Sequence, residues 1–146
     1  MRVLFVCTGN TCRSPMAAGM FRSKTAGTAI EVKSAGVAAY DGQAASEHAR
    51  KVLELRGISH EHAAMRVDEQ LMVWADLILT MTNGHKSVLL QYFPSVAGKL
   101  YTLNEFVGQP GEIADPFGGD LRTYQQCADE LERLLDKLHE KLQGWS

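Results

Sequence analysis

The chain has 146 residues, 45% of them hydrophobic and 22% charged, with a net charge of −2. That length suits one domain spanning residues 1–146, able to bury about two-thirds of its unfolded surface. The near-neutral balance gives no sign of binding to nucleic acid or a membrane surface, and the apolar runs are too short to span a bilayer.

In chain order, Arg2-Val3-Leu4-Phe5-Val6 is a short β-branched and aromatic run that reads as a buried strand. It stops at Cys7-Thr8-Gly9-Asn10-Thr11-Cys12-Arg13-Ser14-Pro15, a loop opening a helix at Pro15, where a preset φ and a dispensable N–H suit the first turn. Met16 and Met20 share a face of that helix, which breaks near Gly27. Ile30 to Ala35 alternates as a strand, and Gly36 to Gly42 reads as a loop. Ala45, Ala49, Val52 and Leu53 fall at helical spacing, with Gly57 as a C-terminal cap. Asp68 caps a short helix carrying Leu71 and Trp74. Leu77 to Met81 is apolar throughout and reads as a central strand covered on both faces. Thr82-Asn83 opens a helix that ends before Pro94, and Lys99 to Leu103 forms a last strand. Gly108 to Gly119 is a Pro/Gly-rich loop. A long final helix follows, striped by Cys127, Leu131, Leu134, Leu135, Leu138 and Leu142, with Asp120 at its start and Lys137 and Lys141 near its end. Strands alternating with helices imply a mostly parallel α/β sheet, with ligands at the carboxyl ends of its strands.

The first loop carries the chemistry. A strand feeding a loop that opens a helix aims backbone N–H groups and the helix dipole into one concavity, suited to a tetrahedral dianion. Cys7 sits at its base, where such surroundings stabilise a thiolate. Arg13 can grip two oxygens with its planar fork. Attack by the thiolate would give a cysteinyl-phosphate, and one carboxylic acid could protonate the leaving group and later activate water. Asp115, held away from the final helix by Pro116, is the strongest candidate for that acid beside its plain reading as a turn aspartate; Asp41 and Asp76 are the weaker ones. Cys12 is either a small buried residue or a resolving thiol that protects Cys7 from over-oxidation. Cys127 belongs to the core stripe. His48, His85 and His139 are expected at the surface, and His60 and His62 are candidates for structural roles. No His/Cys/Asp spacing suggests a metal site. Three cysteines make an odd, sparse set that argues against a disulfide framework and for a reducing compartment, the cytoplasm. Met1-Arg2 leads into a strand with no small-residue cleavage site, so no signal peptide is expected.

The nine residues from Cys7 to Pro15 resemble the signature loop of the low-molecular-weight protein-tyrosine-phosphatase family. Ser34-Ala35-Gly36 looks like that family's second-strand motif, Asp76 to Met81 like its central strand, and Asp115-Pro116 like its general-acid motif. The resemblance implies a three-layer α/β/α fold with a four-stranded parallel sheet, a cysteinyl-phosphate intermediate, and neither metal nor cofactor. It makes Cys7 the nucleophile, Arg13 the phosphate clamp and Asp115 the general acid and base. Thr8, Gly9, Asn10, Thr11, Cys12 and Ser14 would complete the substrate loop, with Ser14 bonded to the sulfur or to the leaving group at that sulfur, and Phe117 beside the substrate. Asn10 would hold the loop's strained shape through contacts reaching Ser34 and His62.

Two departures bear on substrate. Tyrosine-specific members carry Ile or Leu where this chain has Thr11, and further aromatics where it has Phe117-Gly118-Gly119. Both features are similar to the protein-arginine-phosphatase branch. Thr11 offers a hydroxyl to a guanidinium, and Asp115 offers it a charge. Losing an aromatic after Phe117 thins the wall on which a phenyl ring would stack. The expected function is therefore hydrolysis of phosphoarginine in phosphorylated protein substrates by a monomer. The alternatives are a tyrosine phosphatase, an arsenate-reductase-type thiol oxidoreductase needing a relay of further cysteines, and a phosphate-binding module without turnover.

Overall fold

In the structure, a computed structural model that describes residues 1–144, the first apolar run forms β1 (Arg2–Cys7), which lies inside a four-stranded parallel sheet. Its neighbours are β2 (Glu31–Gly36) on one side and β3 (Leu77–Thr80) on the other, with β4 (Leu100–Thr102) at the far edge, giving the order β2-β1-β3-β4. The register runs from Arg2 opposite Glu31 to Cys7 opposite Gly36, and from Val3 opposite Leu77 to Val6 opposite Thr80.

The two-residue period of β1 divides the core. Val3, Phe5 and Cys7 pack with α1 (Arg13–Lys24), α2 (Glu47–Leu55) and α6 (Leu121–Gln143). Leu4 and Val6 face the opposite layer, which α3 (Glu69–Trp74), α4 (Asn83–Tyr92) and a 3₁₀ turn (Pro94–Lys99) supply through Leu71, Met72, Leu89 and Val96. The arrangement is the three-layer α/β/α fold expected. Helix α1 is deeply enclosed: Arg13 to Phe21 are all buried, so its small residues Ala17, Ala18 and Gly19 leave room for neighbours on every side. A β-carbon at Gly19 would lie 3.3 Å from Leu53 Cδ2 of α2.

Boundaries differ from the sequence expectation at three places. Helix α1 begins at Arg13, two residues before Pro15, and Pro15 occupies the third position, where its missing N–H still has no intrahelical partner to lose. The last strand is only three residues long, because Thr102 and Glu105 close a capping box that turns Leu103–Phe106 into α5; Glu105 N–H donates to Thr102 Oγ1 at 3.0 Å and Thr102 N–H to Glu105 Oε2 at 3.1 Å. Ser46 caps α2, so Ala45 lies just outside that helix. Among the described residues no helix is long and apolar enough to cross a membrane.

Candidate active site

Strand order reverses between β1 and β3, and the loop from Cys7 to Arg13 leaves the carboxyl end of β1 at that point. Cys12 precedes α1 with no side-chain cap, so no N-cap side chain takes up the first-turn N–H groups at the end of the loop. At the base of the loop, Cys7 is buried and its Sγ lies 2.9 Å from Ser14 Oγ. Asn10 has a φ of 56°, a left-handed conformation that costs an ordinary residue on the order of 1–3 kcal/mol. Four bonds hold it there. Its Nδ2 donates to Ser14 Oγ at 2.8 Å and to Ser34 Oγ at 2.9 Å, and its Oδ1 accepts from Met65 N–H at 2.9 Å. Its carbonyl pairs with His62 Nε2 at 2.6 Å. A carbonyl can only accept, so the ring nitrogen donates, and burial pushes His62 below the ordinary histidine value. The structure thus brings Asn10, Ser14, Ser34 and His62 into one network.

Arg13, buried at the loop's other end, donates from Nη1 to the carbonyl of Ile113 at 2.9 Å. Its Nη2 lies 3.5 Å from Thr8 Oγ1 and 3.6 Å from Asp115 Oδ2. Asp115 is half exposed, and its other oxygen accepts from Phe117 N–H at 3.0 Å. Phe117 itself is 78% exposed, an aromatic ring left in solvent two residues after the carboxylate. The two weaker acid candidates are engaged elsewhere: Asp41 accepts from Arg66 N–H and Asp76 from Arg2 N–H, each as a backbone tie. Thr11 is half-buried, and its carbonyl accepts from Ser46 N–H at 2.8 Å. Cys12 Sγ donates to Ser46 Oγ at 3.4 Å and lies 3.2 Å from the Tyr124 hydroxyl. All three cysteines are free. Burial pushes the Cys127 thiol up to about 12, so it stays protonated in the core. Among the described residues no three His, Cys, Asp or Glu side chains gather as a metal-binding group.

Sequence reading missed several supporting residues. His85 is buried rather than at the surface, because its ring bridges Thr82 Oγ1, 3.1 Å from Nδ1, and Thr8 Oγ1, 2.9 Å from Nε2. Burial, helped by Arg13, lowers it to about 4. His48 and His139 are half-buried, His48 tilted against Tyr124 and His139 edge-on to Phe21. Gly36 passes so close to the loop that a β-carbon there would lie 2.4 Å from the Thr8 carbonyl oxygen. Ile113 is fully buried and ties the Asp115 loop to β3 through its N–H on the Met81 carbonyl at 3.0 Å. An isoleucine inside a Pro/Gly-rich loop, and a histidine three residues after a helix cap, were the available signals.

Residues 2–144 match the family model described as low molecular weight phosphotyrosine protein phosphatase. The chain is 50% identical over 143 residues to a protein-arginine-phosphatase of Geobacillus stearothermophilus, covering 97% of this chain and 96% of the relative. It is 40% identical over 138 residues to the low molecular weight protein-tyrosine-phosphatase PtpB of Staphylococcus haemolyticus, covering 94% and 97%. Among solved structures, a YwlE arginine phosphatase whose active-site cysteine was replaced by serine, with that serine phosphorylated, superposes with a TM-score of 0.96 at 42% identity, covering 99% of this chain and 97% of the other. With a family match over nearly its whole length, the chain belongs to the low molecular weight phosphotyrosine protein phosphatase family.

Proposed function

We propose that the chain is a protein-arginine phosphatase working through a cysteinyl-phosphate on Cys7. The observation that carries this reading is Thr11, half-buried in a loop whose ends are the Cys7 thiol and the Arg13 guanidinium, with Asp115 3.6 Å from that guanidinium. The Geobacillus stearothermophilus relative, named for this activity, supports it. The Cys7 thiolate, supported by the Ser14 hydroxyl and the loop N–H groups, attacks phosphorus while Arg13 binds two phosphoryl oxygens. The P–N bond breaks, and Asp115 gives its proton to the leaving guanidine nitrogen. Asp115, now a carboxylate, takes a proton from water, which attacks phosphorus and breaks the S–P bond. Free thiolate and inorganic phosphate result, and no metal or other cofactor is used.

Matched phosphoarginine and phosphotyrosine peptides test the reading. A higher kcat/KM is expected on phosphoarginine, and Thr11→Ile, which replaces the hydroxyl by an apolar wall, should move preference toward aryl phosphate; a phosphotyrosine preference in the native enzyme overturns the reading. Cys7→Ser should abolish turnover. One observation favours a second reading, phosphotyrosine hydrolysis: the exposed Phe117 beside Asp115 offers a phenyl ring a stacking partner. A thiol relay of the arsenate-reductase kind is disfavoured by Cys127, buried and held protonated.

The protein would act on phosphorylated proteins as a monomeric single domain in the cytoplasm, where its three free thiols would persist. Cys12 would serve as a redox guard. Peroxide oxidises the Cys7 thiolate to a sulfenic acid, and the Cys12 thiol displaces water from it to form a disulfide, giving up the proton it shares with Ser46. Mass spectrometry after mild peroxide should find a Cys7–Cys12 disulfide and activity restored by dithiothreitol. A Cys7 sulfinic acid with Cys12 still free would count against the guard.

A further inference from the structure

The first turn of α4 touches both halves of the candidate site. Thr82 caps the helix by accepting from His85 N–H at 3.2 Å, and His85 Nδ1 lies 3.1 Å from the same hydroxyl. The opposite ring nitrogen reaches Thr8 Oγ1 at 2.9 Å, and Thr8 follows Cys7 directly and faces Arg13. From the same turn, Asn83 N–H donates to the Glu112 carboxylate at 2.5 Å, three residues before Asp115. Next to Glu112, Ile113 accepts from Arg13 and donates to Met81, the residue between β3 and Thr82.

We propose that His85 and Glu112 are positioning residues: the first turn of α4 is a common anchor that sets the phosphate loop, through His85 and Thr8, and the acid loop, through Glu112, in register with each other. The proposal rests on the roles assigned above to Cys7, Arg13 and Asp115. Thr8 is exposed as a residue, so packing does not choose its rotamer; the hydroxyl's bonds do, and the one to the ring, at 2.9 Å, is shorter than the one to Arg13, at 3.5 Å. An imidazole suits the place because a neutral ring always offers one donor and one acceptor, and the hydroxyls at both ends serve either way. A charged ring would set a second cation beside Arg13; burial and Arg13 itself keep it neutral. On the other arm, Gly111 and Gly118 both have positive φ, at 87° and 84°, so the segment carrying Asp115 lies between two permissive joints. Glu112 and Ile113 pin that segment at one end, and the Glu112 charge is favoured by the positive end of the helix.

The two arms predict different kinetic signatures. The test measures kcat/KM on p-nitrophenyl phosphate and phenyl phosphate, a good and a poor leaving group, together with inhibition by orthovanadate, in the full-length protein. In His85→Asn, which can keep the Thr82 contact but not the Thr8 contact, kcat/KM should fall about tenfold on both esters and vanadate inhibition should weaken about tenfold. His85→Gln, whose amide reaches the Thr8 side, should recover most of that loss. In Glu112→Gln, the loss on phenyl phosphate should be at least about five times the loss on p-nitrophenyl phosphate, because only the poor leaving group needs Asp115 in place. If His85→Asn does not fold, Thr8→Val carries the same prediction from the loop side. Equal losses on both esters in Glu112→Gln, or native vanadate affinity in His85→Asn or Thr8→Val, overturn the proposal. A native protein that leaves both esters intact overturns the Cys7 reading and this one with it; an active native enzyme with unresponsive variants overturns this one alone.

Discussion

Asn10 holds a left-handed backbone angle that glycine adopts without strain, yet the chain places Gly9 beside it and keeps an asparagine at the strained position. The side chain is the reason: it satisfies Ser14, Ser34 and the Met65 N–H, a set glycine could not reach. Asn10→Ala should therefore lose both the bonds and the angle, destabilising by about 2–4 kcal/mol in urea unfolding. Asn10→Gly should lose the bonds alone and be less destabilised by about 1 kcal/mol. If the two variants unfold together, the angle stores no strain. His85 illustrates a different residue-scale rule. A histidine with no apolar neighbours in sequence read as a surface residue, but two hydroxyls from separate elements meet its ring nitrogens and bury it. Nothing local in residues 82–86 announces Thr8, which lies 77 positions away.

At the scale of elements, the candidate site is built where chain segments approach too closely for side chains. Strand β2 ends at Gly36, whose N–H donates to Met65 and whose carbonyl accepts from Val67, while the next N–H groups, of Val37 and Ala38, donate to the carbonyls of Cys7 and Thr8. Gly36 is thus fastened on both sides, and a β-carbon would meet backbone at 2.4 Å from Thr8 and 2.9 Å from Asn10. Gly36→Ala must displace the loop from Cys7 to Arg13. It should lower stability by about 1–3 kcal/mol and kcat/KM by about a hundredfold, since an ångström of misplacement is enough for that. Thermal melts and kinetics on one preparation separate the two, and a kcat/KM within twofold of native would mean the loop tolerates the shift. Caps act at the same scale. Ser46, Asp68, Thr82, Thr102 and Asp120 each accept an N–H from the first turn of their helices. Asp68, Asp120 and the Thr82 start are legible directly from side-chain type. The Thr102-x-x-Glu105 box was equally legible in principle, but the apolar run around it reads as strand until the cap is recognised.

For the whole molecule, the alternation of apolar runs with helical stripes carries most of the fold, because a parallel sheet covered on both faces leaves a plain signature in each strand: Leu77 to Thr80 are all buried, and β1 is buried from Val3 to Cys7. The candidate residues of the first loop were also legible locally, since Cys7, Arg13, Ser14 and the helix start lie within nine residues, and the candidate acid Asp115 was marked by the proline after it. Those features rest on covalent neighbours and short-range geometry, which a sequence states outright. What only the tertiary structure decided are the contacts made by folding the sheet in the order β2-β1-β3-β4: His85 on Thr8 across 77 positions, Arg13 on Ile113 across 100, and Gly36 against the loop. Each joins segments far apart in the chain, and strand order is set by how buried faces pack together, a collective property that no single stretch of the chain encodes.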